Sequence, residues 1–337
     1  MPRVRRLLLA LLCACSSSRA TVETVDVPAP SLAATPFHAS ASQAALVVLP
    51  ASYASSGKRY PVLYYLPGFS MKLDDFRSSS IGGFRVDDLR VEMIVVFVDG
   101  RNALGGGFYA GPWEGFVAKD LVDWVDSRFR TIADRSGRVL AGESMGGFGA
   151  LSIAMQHADR FRAVYAISPA LFAPGRAAVR GVFDDEVLAA HERAHADLDT
   201  PAALVAHVSA LQASAAPLDQ RRAFAYAYWA AFADGAPFPT GPESPALDRL
   251  GRGFGGWDEK IAAHAGALRS LDRIGIDYGR RDRFAFIPPG AEHVAAKLTA
   301  IGARVELSAH DGGHDDRWRE RFEKHALPML SSLVAPR

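Results

Sequence analysis

The sequence predicts an α/β protein: a mostly parallel central sheet flanked by helices, with a helical cap inserted late in the chain. Three observations carry this expectation. Apolar runs bounded by turn residues recur along the chain, most of them are continuous, and helical spacings separate them. A continuous apolar strand suits burial on both faces, as in a parallel sheet covered by helices, whereas a half-solvated strand alternates. Strand–helix alternation is the pattern of an α/β architecture. Composition permits it, because 49% hydrophobic and 22% charged residues in 337 are ordinary for a globular chain. At this length roughly three quarters of the unfolded surface can be buried, so a core needs neither metal nor disulfide. Lys and Arg total 38 against 37 acids, which lacks the basic excess of a nucleic-acid binder. The two cysteines, Cys13 and Cys15, both sit at the N-terminus, so cysteine zinc sites and disulfide frameworks are excluded from the body.

The first element reads as an address. Arg3, Arg5 and Arg6 precede the apolar run 7–12, the charged and hydrophobic parts of an export signal. The run is far short of the ~20 residues of a membrane-spanning helix. Leu12-Cys13-Ala14-Cys15 resembles the bacterial lipobox, which implies cleavage before Cys15 and lipidation of its thiol. Cleavage after Ser18-Arg19-Ala20 is the competing reading. The expected location is the bacterial envelope, with membrane contact only through that lipid anchor. Residues 16–36, rich in Ser, Ala and Pro, are expected to form a tether, and residues 37–337 a single domain.

Strands are expected at 45–49, 61–66, 91–98, 138–141, 163–167, 273–276 and 304–307. Helices are expected at 115–129, where Phe116, Leu121, Trp124, Val125 and Phe129 share a face, and at 145–157, 291–301 and 317–333. From about 171 to 268 helical patterns occur without a convincing strand, and this stretch reads as the cap. Its charged run 184–197 reads as a solvated helix face, and its aromatic run 224–232 more as cap core than as substrate wall.

Gly142-Glu-Ser144-Met-Gly146 has the form Gly-x-Ser-x-Gly between an apolar strand and a helix, the context of a nucleophile elbow. The serine occupies a strained turn, so its neighbours two places away must lack bulk. Gly146, Gly147 and Gly149 open the helix, although each costs ~1 kcal/mol against alanine in a helix interior. A helix N-terminus and the Met145 N–H are suited to stabilise an oxyanion.

Ser144-Met-Gly-Gly-Phe-Gly-Ala-Leu, with Asp159-Arg-Phe161 and Ser168-Pro169 downstream, is similar to the esterase D-like "putative esterase" family of α/β-hydrolases. Arg59-Tyr-Pro-Val-Leu-Tyr-Tyr-Leu-Pro-Gly68, Asp99-Gly-Arg-Asn102 through Phe108-Tyr109, and Gly279-Arg-Arg-Asp282 to Gly312-Gly-His314 extend the resemblance. Feruloyl and acetyl-xylan esterases, S-formylglutathione hydrolase, enterochelin esterases and mycolyltransferases are relatives. The resemblance covers about 45–333, thinly in the cap. It implies an α/β-hydrolase fold and a serine esterase without cofactor or metal, acting on a small-molecule or carbohydrate-linked ester. An acyltransferase of the mycolyltransferase type and a non-catalytic surface-binding protein are the alternatives.

A serine hydroxyl needs a base that is itself oriented by an acid. In α/β-hydrolases these follow in the order Ser, acid, His. Among the late histidines, His314 lies in the turn Asp311-Gly-Gly-His-Asp315 after a strand and matches the family's Gly-His, with His310 as the alternative. Asp282 stands where the resemblance implies the acid, and Asp277 is its rival. The second oxyanion donor is expected at Gly68 or Phe69, after the strand 61–66. His310, Asp311, His314, Asp315 and Asp316 hold potential metal ligands, but Gly312-Gly313 makes a helical His-x-x-x-His pair a poor reading. Phe108, Tyr109 and Trp113 sit in a loop with Gly105, Gly106, Gly107 and Gly111. Ligands of open α/β sheets bind beyond the strands' carboxyl ends, so these aromatics are expected to line the substrate site. The competing reading is that Trp113 staples the loop to the following helix. Relatives tend to have Tyr-Asn-Ser where this chain has Tyr109-Ala110-Gly111.

Overall fold

In the computed structural model, residues 19–337 except 34, 36 and 39 are described. Expected features before residue 19, including Cys15, lie outside them. One sheet is built from β1 (Thr21–Pro28), β2 (Ser42–Leu49), β3 (Val62–Leu66), β4 (Ile94–Val98), β5 (Arg138–Glu143), β6 (Ala163–Ile167), β7 (Arg273–Gly279) and β8 (Val305–His310). Their spatial order is β1-β2-β4-β3-β5-β6-β7-β8. β1 and β2 pair antiparallel with each other, and β2 pairs antiparallel with β4. Every pair from β4 to β8 is parallel.

The continuous apolar runs have a direct cause. β3 gives Val62, Tyr64 and Leu66 to one hydrophobic core and Leu63 and Tyr65 to the other, so neither face meets water. On the first face lie α1 (Pro112–Gly115) and α2 (Val122–Arg128), joined by a π-helical stretch at Phe116–Leu121, and α3 (Met145–Gln156). Between β6 and β7 the chain forms α4 (Arg176–Arg180), α5 (Asp185–Ala194), α6 (Pro201–Ala213), α7 (Pro217–Phe232), α8 (Ala246–Leu250), α9 (Trp257–Ala263) and α10 (Ala265–Ser270). α11 (Ile287–Ala300) returns to the first face. α12 (Trp318–Arg321) and α13 (Leu327–Ser331), linked by the π-helical stretch Phe322–Ala326, cover the second.

One boundary is corrected. Residues 16–36 are not simply a tether: β1 pairs with β2 from Thr21 to Pro28, and Val27, Ala29 and Leu32 are buried. β1 is an edge strand with much of its length in water, so Glu23, Asp26 and the flanking Ser, Ala and Pro outweigh its few valines in a reading by composition.

The parallel strands all point their carboxyl ends to one edge. β3 delivers the Gly68 loop, β5 delivers Ser144, β6 delivers Ser168, β7 leads to Asp282 and β8 to His314. That shared edge is where an open α/β sheet binds its ligand.

Candidate active site

Ser144 caps α3 with φ 54° and ψ −115°, a conformation that costs a non-glycine residue of order 1–3 kcal/mol. The surroundings impose it. The Ser144 N–H donates to the Ile167 carbonyl at 2.9 Å, and the Ser144 carbonyl accepts from the Phe148 and Ala170 N–H groups, each at 3.0 Å. The flanking glycines are sterically required: a Cβ on Gly146 would stand 1.8 Å from the Leu66 carbonyl oxygen, and one on Gly142 would stand 2.2 Å from that of Gly146.

His314 and Asp282 are joined across two loops. The His314 Nδ1–H donates to Asp282 Oδ2 at 2.7 Å, and Asp282 Oδ1 accepts the Phe284 N–H at 2.9 Å. Both side chains are nearly or fully shielded from solvent. This bond commits Nδ1 to Asp282 and leaves Nε2 as the imidazole's free acceptor. Phe284 stands edge-on to the His314 ring, with centroids 4.8 Å apart. Ser144 and His314 line one cavity. They are not hydrogen-bonded to each other among the described residues, as is common before a substrate closes such a contact.

Asp277, the rival acid, has another partner. Its Oδ1 accepts from Arg321 Nη1 at 2.9 Å, in an ion pair with both side chains only 4% exposed. The same guanidinium donates to Ser168 Oγ at 2.7 Å and to the His314 carbonyl at 2.8 Å. Arg321 therefore ties the His314 loop to the ends of β6 and β7. Its sequence signal was a cation on an apolar stripe, with Trp318, Arg321 and Phe322 at helical spacing and all buried.

The other candidates for base or metal ligand are otherwise engaged. His310 Nδ1 accepts the Gly312 N–H, Asp311 pairs with Arg280, and Asp315 pairs with Arg283. Glu143, just before the serine, is buried with Oε2 unpaired among the described residues, and burial raises its carboxyl to about 8.

Around Ser144 opens a cavity of about 1080 Å³. Gly68, Phe69 and Glu143 line it near the serine, and Met71, Ile81, Val182, Phe224, Phe284 and Phe286 form much of its apolar wall. A Cβ on Gly68 would lie 3.6 Å from the Ser144 Cβ, so this loop passes close to Ser144. The Gly68 N–H is directed to Met71 Sδ at 3.1 Å. Neither the Phe69 nor the Met145 N–H has a partner among the described residues.

Phe108, Tyr109 and Trp113 are not on this wall, which corrects the expectation for them. All three are buried in the first core. Positive φ angles of 53° and 51° at Phe108 and Tyr109 accompany a turn whose rings pack inward. The loop's glycine at 107 makes room for a ring and does not free the loop to move: a Cβ there would stand 2.0 Å from Trp113 Nε1. Sequence reasoning placed the loop at the correct sheet edge and gave its rings the wrong side. Within the run 224–232, Tyr226 and Tyr228 are cap core, whereas Phe224 reaches the cavity.

The fold is that of the α/β-hydrolase class, with Ser144 in the strained turn between β5 and α3. Solved structures agree on the fold. A ferulic acid esterase superposes with a TM-score of 0.57 at 21% identity, covering 94% of this chain and 98% of that one. An S-formylglutathione hydrolase from Agrobacterium tumefaciens gives 0.54 at 15% identity, covering 95% and 98%. More particularly, the chain belongs to the family described as "Putative esterase", which matches residues 41–233. An esterase of Mycobacterium tuberculosis is 39% identical over 124 residues, 34% of this chain and 26% of that protein. The match thus spans only about a quarter of that relative.

Proposed function

We propose that the protein hydrolyses a carboxylic ester through an acyl-enzyme intermediate. Ser144 Oγ attacks the ester carbonyl while His314 Nε2 takes its proton. Asp282 holds the imidazole in the required tautomer and stabilises the imidazolium. The Phe69 and Met145 N–H groups, left without partners, are the donors best placed for the oxyanion. Gly68, whose N–H is directed to Met71, gives the loop its close approach. His314 returns the proton to the leaving alcohol, and water, activated by the same imidazole, releases the acid.

The observation that carries this reading is the shielded His314–Asp282 hydrogen bond facing a strained Ser144 across one cavity. It also favours an enzyme over a binding protein on a hydrolase scaffold. A fluorophosphonate probe should label Ser144, with loss of labelling in Ser144→Ala. Absence of both labelling and p-nitrophenyl ester turnover in the folded protein would sink the reading. The N-terminal sequence supports a further proposal, that this hydrolase is exported to a bacterial envelope with Cys15 lipidated. Mass spectrometry of the mature N-terminus tests it, and an unmodified N-terminus at Thr21 would refute it.

A further inference from the structure

The backbone N–H groups of the loop after β3 can be accounted for one by one. The Gly68 N–H donates to Met71 Sδ at 3.1 Å, the Ser70 N–H to the Gly105 carbonyl at 3.1 Å, and the Met71 N–H to the Gly68 carbonyl at 3.4 Å. Of these four successive residues, only Phe69 has an N–H without a partner among the described residues. Two further contacts hold the loop from outside. The buried Tyr109 hydroxyl donates to the Pro67 carbonyl at 3.3 Å, and the Phe69 ring packs against Phe108 and Phe224 at centroid distances of 5.8 and 5.0 Å.

The bond to sulfur stands apart from the others, because a thioether is a weak acceptor and a backbone N–H usually finds an oxygen. Met71 makes this bond by folding back over its own turn. Ser70, at φ +59°, adopts the left-handed conformation that accompanies this reversal. A Cβ on residue 68 would stand 3.0 Å from Met71 Sδ, so glycine gives the sulfur its place. The Met71 side chain also packs against the core on the second face of the sheet and lines the Ser144 cavity. It therefore links that core to a peptide group beside Ser144.

We propose that Met71 is a positioning residue for the oxyanion site: its sulfur engages the Gly68 N–H, fixes the Pro67–Gly68 peptide and so aims the neighbouring Phe69 N–H at the ester oxygen. The inference rests on the esterase reading above, in which Phe69 and Met145 donate to the oxyanion, and adds what holds the first of these donors in place. In the rival arrangement the substrate displaces the sulfur and Gly68 becomes the donor, which makes Met71 an obstacle. Removing the sulfur has opposite effects in the two cases.

The test compares the full chain with Met71→Leu, which keeps the apolar bulk without an acceptor, and with Met71→Asn, whose Oδ1 lies as many bonds from the backbone as Sδ. On p-nitrophenyl butyrate, Met71→Leu should lower kcat about 10-fold with KM changed less than about twofold, a smaller loss than the roughly 10²- to 10³-fold that follows removal of an oxyanion donor. Met71→Asn should recover most of that kcat. Butylboronic acid forms an adduct with Ser144 that places an oxygen where the oxyanion develops. Its Ki should rise about 10-fold in Met71→Leu and fall back in Met71→Asn, while thermal melting shows all three proteins folded at the assay temperature. A residue that only walls the cavity would shift KM and leave kcat and this Ki alone. An equal or higher kcat in Met71→Leu, or a loss that Met71→Asn does not recover, overturns the positioning role and leaves the esterase reading standing. No turnover by wild type and no fluorophosphonate labelling of Ser144 defeats both.

Discussion

The sheet edge and the cap meet at one cavity but are built by different physics. On the sheet side, each candidate catalytic group is fixed by directional bonds: Ser144 by its backbone partners, His314 by Asp282, and the His314 loop by Arg321. On the cap side, Val182 and Phe224 meet the cavity through non-directional apolar packing, Phe224 lying against Phe69 and Phe284 at centroid distances of 5.0 and 6.2 Å. Directional bonds hold atoms to the tolerance that chemistry needs. Apolar contacts set volume and shape and accept change at small cost. The difference assigns reaction to one side and substrate preference to the other, and substitutions on each side test that division.

The largest effects belong to the sheet edge. Ser144→Ala, His314→Ala and Asp282→Asn should each lower kcat by about 10³-fold or more while the fold persists, and combinations should be little worse than the worst single change. Steady-state kinetics with circular dichroism checks this. Asp277→Asn supplies the contrast, because its carboxylate serves Arg321 and not His314. Full activity in Asp282→Asn together with inactivity in Asp277→Asn would exchange the two assignments.

Next comes Arg321→Met. It leaves Asp277 as an unpaired buried carboxylate, a change that typically costs about 3–5 kcal/mol of stability. It also frees the His314 carbonyl, and misplacement of the base by about 1 Å can lower kcat 10- to 100-fold. The double variant Arg321→Met/Asp277→Asn separates the two roles. Thermal melting should show stability recovered, whereas kcat should stay low because nothing then holds the His314 loop. Recovery of both would make Arg321 purely structural.

The legibility of the two sides follows the same division. The elbow could be read from sequence because its constraint is local: Gly142 and Gly146 are dictated by backbones passing within a few ångströms of them. The buried strands were legible because burial on both faces leaves a continuous apolar run. The His314 loop was legible from its glycines and chain order. Arg321 was not, since its three partners, Ser168, Asp277 and His314, lie elsewhere in the sequence and meet it only in the folded sheet. The aromatic loop failed for the same reason, because nothing local to Phe108-Tyr109 says whether a positive-φ turn aims its rings at solvent or at core. β1 was obscured by having only one partner strand and much of its length in water.

Two smaller effects sharpen the contrast on the cap side. Phe224→Ala should change kcat/KM only a few-fold, and unequally, favouring bulkier acyl groups across a p-nitrophenyl ester series as the wall recedes. A uniform loss on every chain length would argue that Phe224 supports the site without shaping it. Trp113→Ala, in the core, should do the reverse. It should cost about 3–5 kcal/mol of stability with no change of preference among those esters per folded molecule. A changed preference would return Trp113 to the substrate wall.

The smallest expected effect on turnover is that of Glu143→Gln, a change of charge at nearly constant shape beside Ser144. In the folded protein the Glu143 carboxyl is raised from 4.5 to about 8, with burial as the largest cause and the Arg321 guanidinium opposing it. A folded-state value above the unfolded one means that the native protein binds the extra proton between those limits. Its contribution to stability is therefore complete below about 4.5, declines as pH rises, and is lost once pH passes about 8. Glutamine has no proton to lose. The variant's stability advantage should grow across this window and level off above it, while kcat at neutral pH stays within a few-fold of wild type. Urea melts at intervals from pH 5 to pH 9, roughly spanning the window, give the comparison directly. Parallel stability curves for the two proteins would show that Glu143 is already ionised against Arg321, making it part of the directional bonding behind His314 and not a neutral lining of the cavity.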